Sequence, residues 1–178
     1  MKNTSYLLSI CLLMGCLLTV SCKKDKARPA FELKYFMEFE IPAGLNTFTF
    51  HQFSFQNEES GIQFFLEQNN LDTSDIVSIN TSFARLSSIL GNEDLSIIDE
   101  IVIDVFRPSD PQDNFEAAYT FQIPLRNTNR IQLVPSITNL KEVLQEDFFD
   151  LVIHIRFRSI PPRTSPVQLE IGFDVFKK

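Results

Sequence analysis

Two histidines, three cysteines and 23 acidic side chains carry the chemistry open to this 178-residue sequence. A zinc centre needs three or four His, Cys or carboxylate ligands close together. His51 and His154 are far apart, and neither belongs to an HxxxH pattern. His51 falls where the parity of a Phe alternation slips, so it is a candidate ligand or hydrogen-bond donor. The competing reading is an ordinary strand histidine. His154 shares the polar face of a predicted strand with Arg156 and Arg158. That row reads as a solvated face with the capacity to bind an acidic partner or a phosphate. Asp99, Glu100 and Asp104 cluster near another strand, Asp104 on its wet side. A glycosidase needs two carboxyls facing each other across a cleft, whereas most Asp and Glu are surface charge. Asp110, Asp113 and Asn114 offer oxygen donors for Ca²⁺, without EF-hand spacing. No G-x-S-x-G turn is present. No catalytic residue, metal ligand or cofactor is assigned.

The thiols read differently. Lys2 precedes an apolar run, Tyr6 to Val20, broken only by small residues such as Ser9, Gly15 and Thr19. It is short of the roughly 20 apolar residues of a membrane span and has the layout of a signal peptide. The run stops at Thr19-Val20-Ser21-Cys22, and Lys23-Lys24-Asp25-Lys26 follow. This resembles the lipobox of bacterial lipoproteins, in which a small residue precedes the Cys that is acylated before cleavage. Ser21 fits the small position, while Thr19 stands where Leu is usual. Leu13-Met14-Gly15-Cys16 is a rival, but cleavage there leaves the apolar stub Leu17 to Val20. Cys22 is therefore the expected lipidated residue. The expected organisation is a signal peptide over 1–21, a lipidated tether over 22–30 and one domain over 31–178. Cys11, Cys16 and Cys22 are the whole cysteine complement, so the domain has no disulfide to lean on. Acyl chains anchor at about 0.8 kcal/mol per buried CH₂.

Sixteen basic and 23 acidic residues give a net charge of −7, near −8 once Lys2 is removed. That balance excludes nucleic acid, which demands a basic footprint. It also opposes attraction to anionic lipid, apart from Lys23, Lys24, Lys26 and Arg28 beside the anchor. Eighteen Phe and no Trp point to a core filled by aromatic rings lacking a polar handle. The scarcity of Trp and Tyr weighs against a sugar-stacking surface.

Period two dominates the domain. Phe31, Leu33, Tyr35, Met37, Phe39 and Ile41 predict a half-buried strand. Residues 47–55 predict a second, with a bulge at His51-Gln52 to keep Phe48, Phe50, Phe53 and Phe55 on one face, or else a strand buried on both faces. Residues 60–69 predict a short helix with Ser60 as its cap and Phe64 off its apolar face. Strands follow over 75–89 and 97–106, then a loop over 107–114. A further strand over 115–125 is expected to return through an Arg126–Arg130 hairpin whose role is structural. Residues 138–148 predict a helix with Leu140, Val143, Leu144 and Phe148 on one face. Strands from Leu151 and from Val167 close the domain around Pro161-Pro162. One-sided alternation without a βαβ rhythm indicates a mainly β fold. The expected architecture is an antiparallel two-sheet β-sandwich, immunoglobulin-like or jelly-roll-like, of about eight strands with two short helices. A closed barrel is the alternative.

The strand-rich plan, the Pro-Pro loop before the last strand and Ser21-Cys22-Lys23-Lys24-Asp25 together resemble small Bacteroidetes-type outer-membrane lipoproteins with a β-sandwich domain. The resemblance implies an outer-membrane lipid anchor and no particular activity. In such proteins acidic residues after the Cys accompany export to the cell surface. Lys23 and Lys24 outweigh Asp25 here, which favours a periplasm-facing attachment. The expected function is a non-catalytic binding or assembly module contacting an envelope protein or glycan through loops. A carboxylate-dependent envelope hydrolase and a purely structural envelope component are the alternatives. An apolar or aromatic groove at one end favours binding. Facing carboxyls with raised pKa values in a cleft favour hydrolysis.

Overall fold

The computed structural model describes residues 28–121 and 123–178. The predicted signal peptide, Cys22 and the first part of the tether lie outside the described residues. The domain folds as β1 (Phe31–Ile41), β2 (His51–Glu59), α1 (Ile62–Gln68), β3 (Ile76–Ser88) and β4 (Ile98–Arg107). It continues through β5 (Asp110–Thr120), β6 (Arg130–Pro135), α2 (Lys141–Leu144), β7 (Phe148–Phe157) and β8 (Ser165–Lys177). All pairings are antiparallel, in the order β1-β8-β3-β6-β5-β4-β7-β2.

Alternation along each strand explains the core. Leu33, Met37 and Ile41 of β1 face Val167, Leu169, Ile171, Phe173 and Val175 of β8 in unbroken register. Ile101, Ile103 and Val105 of β4 meet Leu151, Ile153 and Ile155 of β7 in the same way. Burying such side chains contributes about 1.5–3 kcal/mol each, which is what holds a domain without disulfides. Gly172 interrupts β8 because the Phe83 ring lies across its outer face. A Cβ there would collide with that ring.

The mainly β, eight-stranded antiparallel expectation holds, and the strands form one curled, nearly closed sheet. β6 bonds to β3 over Arg130–Leu133 but touches β5 only at Ala118↔Pro135 and Tyr119↔Val134. The edge strands β1 and β2 are not hydrogen-bonded to each other, and aromatic side chains bridge the gap. Phe39 packs on Phe53 and Phe55 at 4.7 and 6.0 Å between centroids. The Tyr35 hydroxyl donates to the Ser60 carbonyl at 2.6 Å, and burial raises its pKa. It therefore stays a donor at any ordinary pH.

Local expectations fare unevenly. The bulge falls at Phe55/Glu58, with Asn57 at φ 55, and not at His51-Gln52. The Phe parity slips because β2 starts only at His51, leaving Phe48 and Phe50 in the preceding loop. Ser60 does cap locally, accepting the Ile62 N–H, although Gly61 holds the N-cap position. The 138–148 helix shrinks to four residues. Leu140, Val143 and Leu144 are buried as expected, but Phe148 already belongs to β7 and is half exposed. The 107–114 loop is instead a tight turn at Pro108-Ser109 between β4 and β5. The Arg126–Arg130 hairpin holds in part: β6 returns antiparallel beside β5, but not from a tight turn. β5 ends at Thr120, a loop containing Pro124 follows, and β6 pairs chiefly with β3.

Candidate functional site

The alternating strand directions send the connections to two opposite ends. One end, here called proximal, holds residues 28–30, α1, the Pro108-Ser109 turn, α2 and the end of β8. The distal end holds the β1–β2, β3–β4, β5–β6 and β7–β8 loops.

The row proposed for an anion lies between the ends and is occupied by its own carboxylates. His154 Nε2 stands 3.2 Å from Asp104, which is largely buried rather than wet. Arg156 contacts Glu100 at 2.6 Å and Asp99 at 3.1 Å, with Phe50 stacked on its guanidinium at 5.5 Å. Arg158 reaches Asp99 at 3.5 Å and donates to the Ile123 carbonyl at 2.9 Å. Cross-strand pairing of β4 with β7 produces this ladder. It joins the two charged clusters seen in the sequence into one self-neutralised face. His51 bonds through Nε2 to the Asn46 carbonyl and packs on Phe157. No group of three or more metal-binding side chains forms among the described residues. Asp110 and Asp113 sit in β5 against Arg107, at 3.8 and 3.2 Å, instead of gathering in a loop. Asp174 is held above the ordinary carboxylate range, first by burial and then by Glu32 opposite it on β1. That pair lies on the outer face of the sheet.

The proximal end carries a cleft of about 560 Å³, lined by Asn57, Gln63, Ser109, Gln145, Asp147 and Phe148 among others. A neighbouring cleft of about 250 Å³ shares Gln63, Asp147 and Phe148 and adds Phe64. The strained Asn57 backbone is pinned by the buried Asp150, whose carboxylate accepts the Asn57 N–H at 2.7 Å. Backbone held in a sparsely populated region needs such support.

The distal loops are fastened to one another. Gly44 N–H donates to the Pro161 carbonyl at 3.0 Å, and Ala43 N–H to the Thr164 hydroxyl at 3.3 Å. The Arg163 guanidinium donates to the buried Glu93 at 2.8 Å, and the Ser165 hydroxyl donates to the same oxygen at 3.1 Å. Asp94 accepts N–H bonds from Ser96 at 2.9 Å and Thr128 at 3.1 Å. These bonds, Ser96 first, lower its pKa. Asn129 adds a bond to the Gly91 carbonyl, and Leu95 N–H one to the Thr128 carbonyl. All four loops thus form one braced platform.

Each loop lifts a bulky apolar tip from that platform. Phe48 is 91% exposed, Leu125 82%, Leu90 66% and Ile160 61%, enough to exclude a role in the core. A pocket of about 280 Å³ opens at the β5–β6 loop, lined by Ile123, Pro124, Arg126, Thr128, Arg130 and Ile131 among others. Sequence reasoning treated Arg126 and Arg130 as a structural hairpin and missed this arrangement. The signal present was four connections each carrying a large apolar residue with no strand to bury it. No family model matches the chain, and no curated protein matches it.

Proposed function

We propose that this chain is a lipid-anchored envelope protein that works as a non-catalytic binding or assembly module. The observation carrying the proposal is the distal platform. Loops already fixed by mutual hydrogen bonds lose little freedom on association, and that is what preorganised binding requires. Large apolar side chains left exposed on several loops of one end favour a protein contact surface. Their character supports a protein partner over a glycan. The sandwich plan fits as well. The order β1-β8-β3-β6 followed by β5-β4-β7-β2 is that of a two-sheet jelly roll. The two-residue contact between β5 and β6 supports reading the curled sheet as two facing halves.

The Ser21-Cys22-Lys23-Lys24-Asp25 stretch supports an outer-membrane anchor at Cys22 with a periplasm-facing domain. A tether over 22–30 reaches at most about 30 Å at roughly 3.3–3.6 Å per residue. It joins the proximal end, so the platform points away from the membrane. A Cys22→Ala precursor is expected to lose acyl labelling and membrane partition; retention of both refutes the anchor. A photo-crosslinking residue at position 48 or 125 is expected to trap a discrete envelope protein in living cells. The same residue at the exposed outer-face position 36 is the control. Equal trapping from all three positions, or none, sinks the platform reading.

A further inference from the structure

The pocket on the platform has a chemistry of its own. Arg126 and Arg130 line it, and neither has an ion-pair partner among the described residues. In a chain of net charge −7 two unpaired guanidinium groups at one opening are conspicuous. The acids of the facing β3–β4 loop pair elsewhere. Glu93 is buried under Arg163 and Ser165, and Asp94 is held by the N–H groups of Ser96 and Thr128. The remaining lining is mixed, with Ile123, Pro124 and Ile131 apolar and Thr120, Thr128 and Gln132 polar, and the Leu125 tip is exposed on the same loop. The pocket floor is fixed. Arg158 holds the Ile123 carbonyl, the Asp94 bond holds Thr128, and Gln132 donates to the Ala84 carbonyl at 2.9 Å.

We infer that this pocket takes a peptide carboxylate flanked by an apolar side chain, presented by the platform's protein partner. Guanidinium forks match carboxylates in geometry as well as charge. The volume of about 280 Å³ is at the lower end of ligand sites and suits one or two side chains. Ile123, Pro124 and Ile131 beside the arginines favour a carboxylate borne on a chain with an apolar neighbour over a free, fully hydrated anion. The carboxylate comes either from an acidic side chain or from a C-terminus. The inference rests on the platform reading and names the chemistry of its partner.

The test uses the full-length protein in detergent micelles and fluorescence anisotropy of labelled peptides. One peptide carries Leu-Asp-Leu with a blocked C-terminus, and its twin carries Leu-Asn-Leu. A second pair ends in Leu-Leu as the free acid or as the amide. At least one acid form is expected to bind ten-fold or more tightly than its neutral twin, weakening with added salt; which one identifies the source. Arg126→Gln/Arg130→Gln is expected to lose that preference at an unchanged melting temperature. Arg126→Lys/Arg130→Lys is expected to keep part of it. The inference is overturned if neither acid form outbinds its twin, or if the double Gln variant keeps the preference. It is also overturned if inorganic phosphate displaces the peptide at concentrations where acetate does the same. Crosslinking from position 48, on another loop, reads the platform separately. Trapping there without peptide preference rejects the pocket alone.

Discussion

The two ends of the domain use acidic side chains in opposite ways. Distally, the buried Glu93 and the more exposed Asp94 accept bonds from neighbouring loops, leaving apolar tips and arginines on the surface. Proximally, Glu146 and Asp147 line an open polar cleft, Asp150 holds the Asn57 bulge, and Asp75 accepts the Asp72 N–H at 2.9 Å within its own turn without tying one loop to another. A carboxylate that braces a loop converts a flexible connection into a fixed one. A carboxylate left on a cleft wall shapes a surface without stiffening it. Mutations should separate these two jobs.

The largest effect is expected from Phe149→Ala. Phe149 is fully buried under Tyr35 at the proximal end. The loss should be about 3–5 kcal/mol in denaturant unfolding. Both ends should unfold together because they share one core; separate transitions would break the picture of a single unit. Arg163→Ala comes next, at about 1–3 kcal/mol, because Glu93 stays buried with a weaker partner. Hydrogen exchange should accelerate in the distal loops and stay unchanged around α1. Equal acceleration at both ends would remove the distinction.

Asp94→Ala should cost about 0.5–2 kcal/mol, the usual loss for a capping side chain. This effect depends on pH. The folded pKa is depressed, so the contribution is complete above the unfolded value of 3.8 and fades as pH falls through the folded one. Wild type and variant should therefore converge in acid. Asp147→Asn, on the proximal wall, should change stability by no more than about 0.5 kcal/mol. The smallest effect is a control on the outer face. Asp174 has a raised folded pKa, so its ionisation opposes folding as pH rises. Asp174→Asn should be slightly more stable than wild type at neutral pH, and that gain should vanish in acid.

Strand positions were legible wherever one face is dry. β1 begins and ends where its alternation does, and β3, β4 and β8 lie within two residues of theirs. Partners were less legible. The loop after β5 has turn-like residues, but Pro124 and the need to bury Ile123 carry the chain across to β3. The helix over 138–148 was overextended because Phe148 falls at helical spacing from Leu144, whereas pairing with β2 claims it for β7. The platform stayed hidden because its braces join residues up to 121 positions apart, as in Ala43–Thr164. Nothing local in either loop announces such a bond.

The unbroken register between β1 and β8 has a mechanical consequence. A pull on residue 28 resisted at the distal loops runs along the axis of β1. Its inter-strand hydrogen bonds lie across that axis, so the load falls on the row together and not on one bond at a time. Peeling β1 away sideways would instead open the same bonds in sequence from Phe31. The domain is thus built as a link that carries tension between its two ends better than it withstands a lateral tug at its edge.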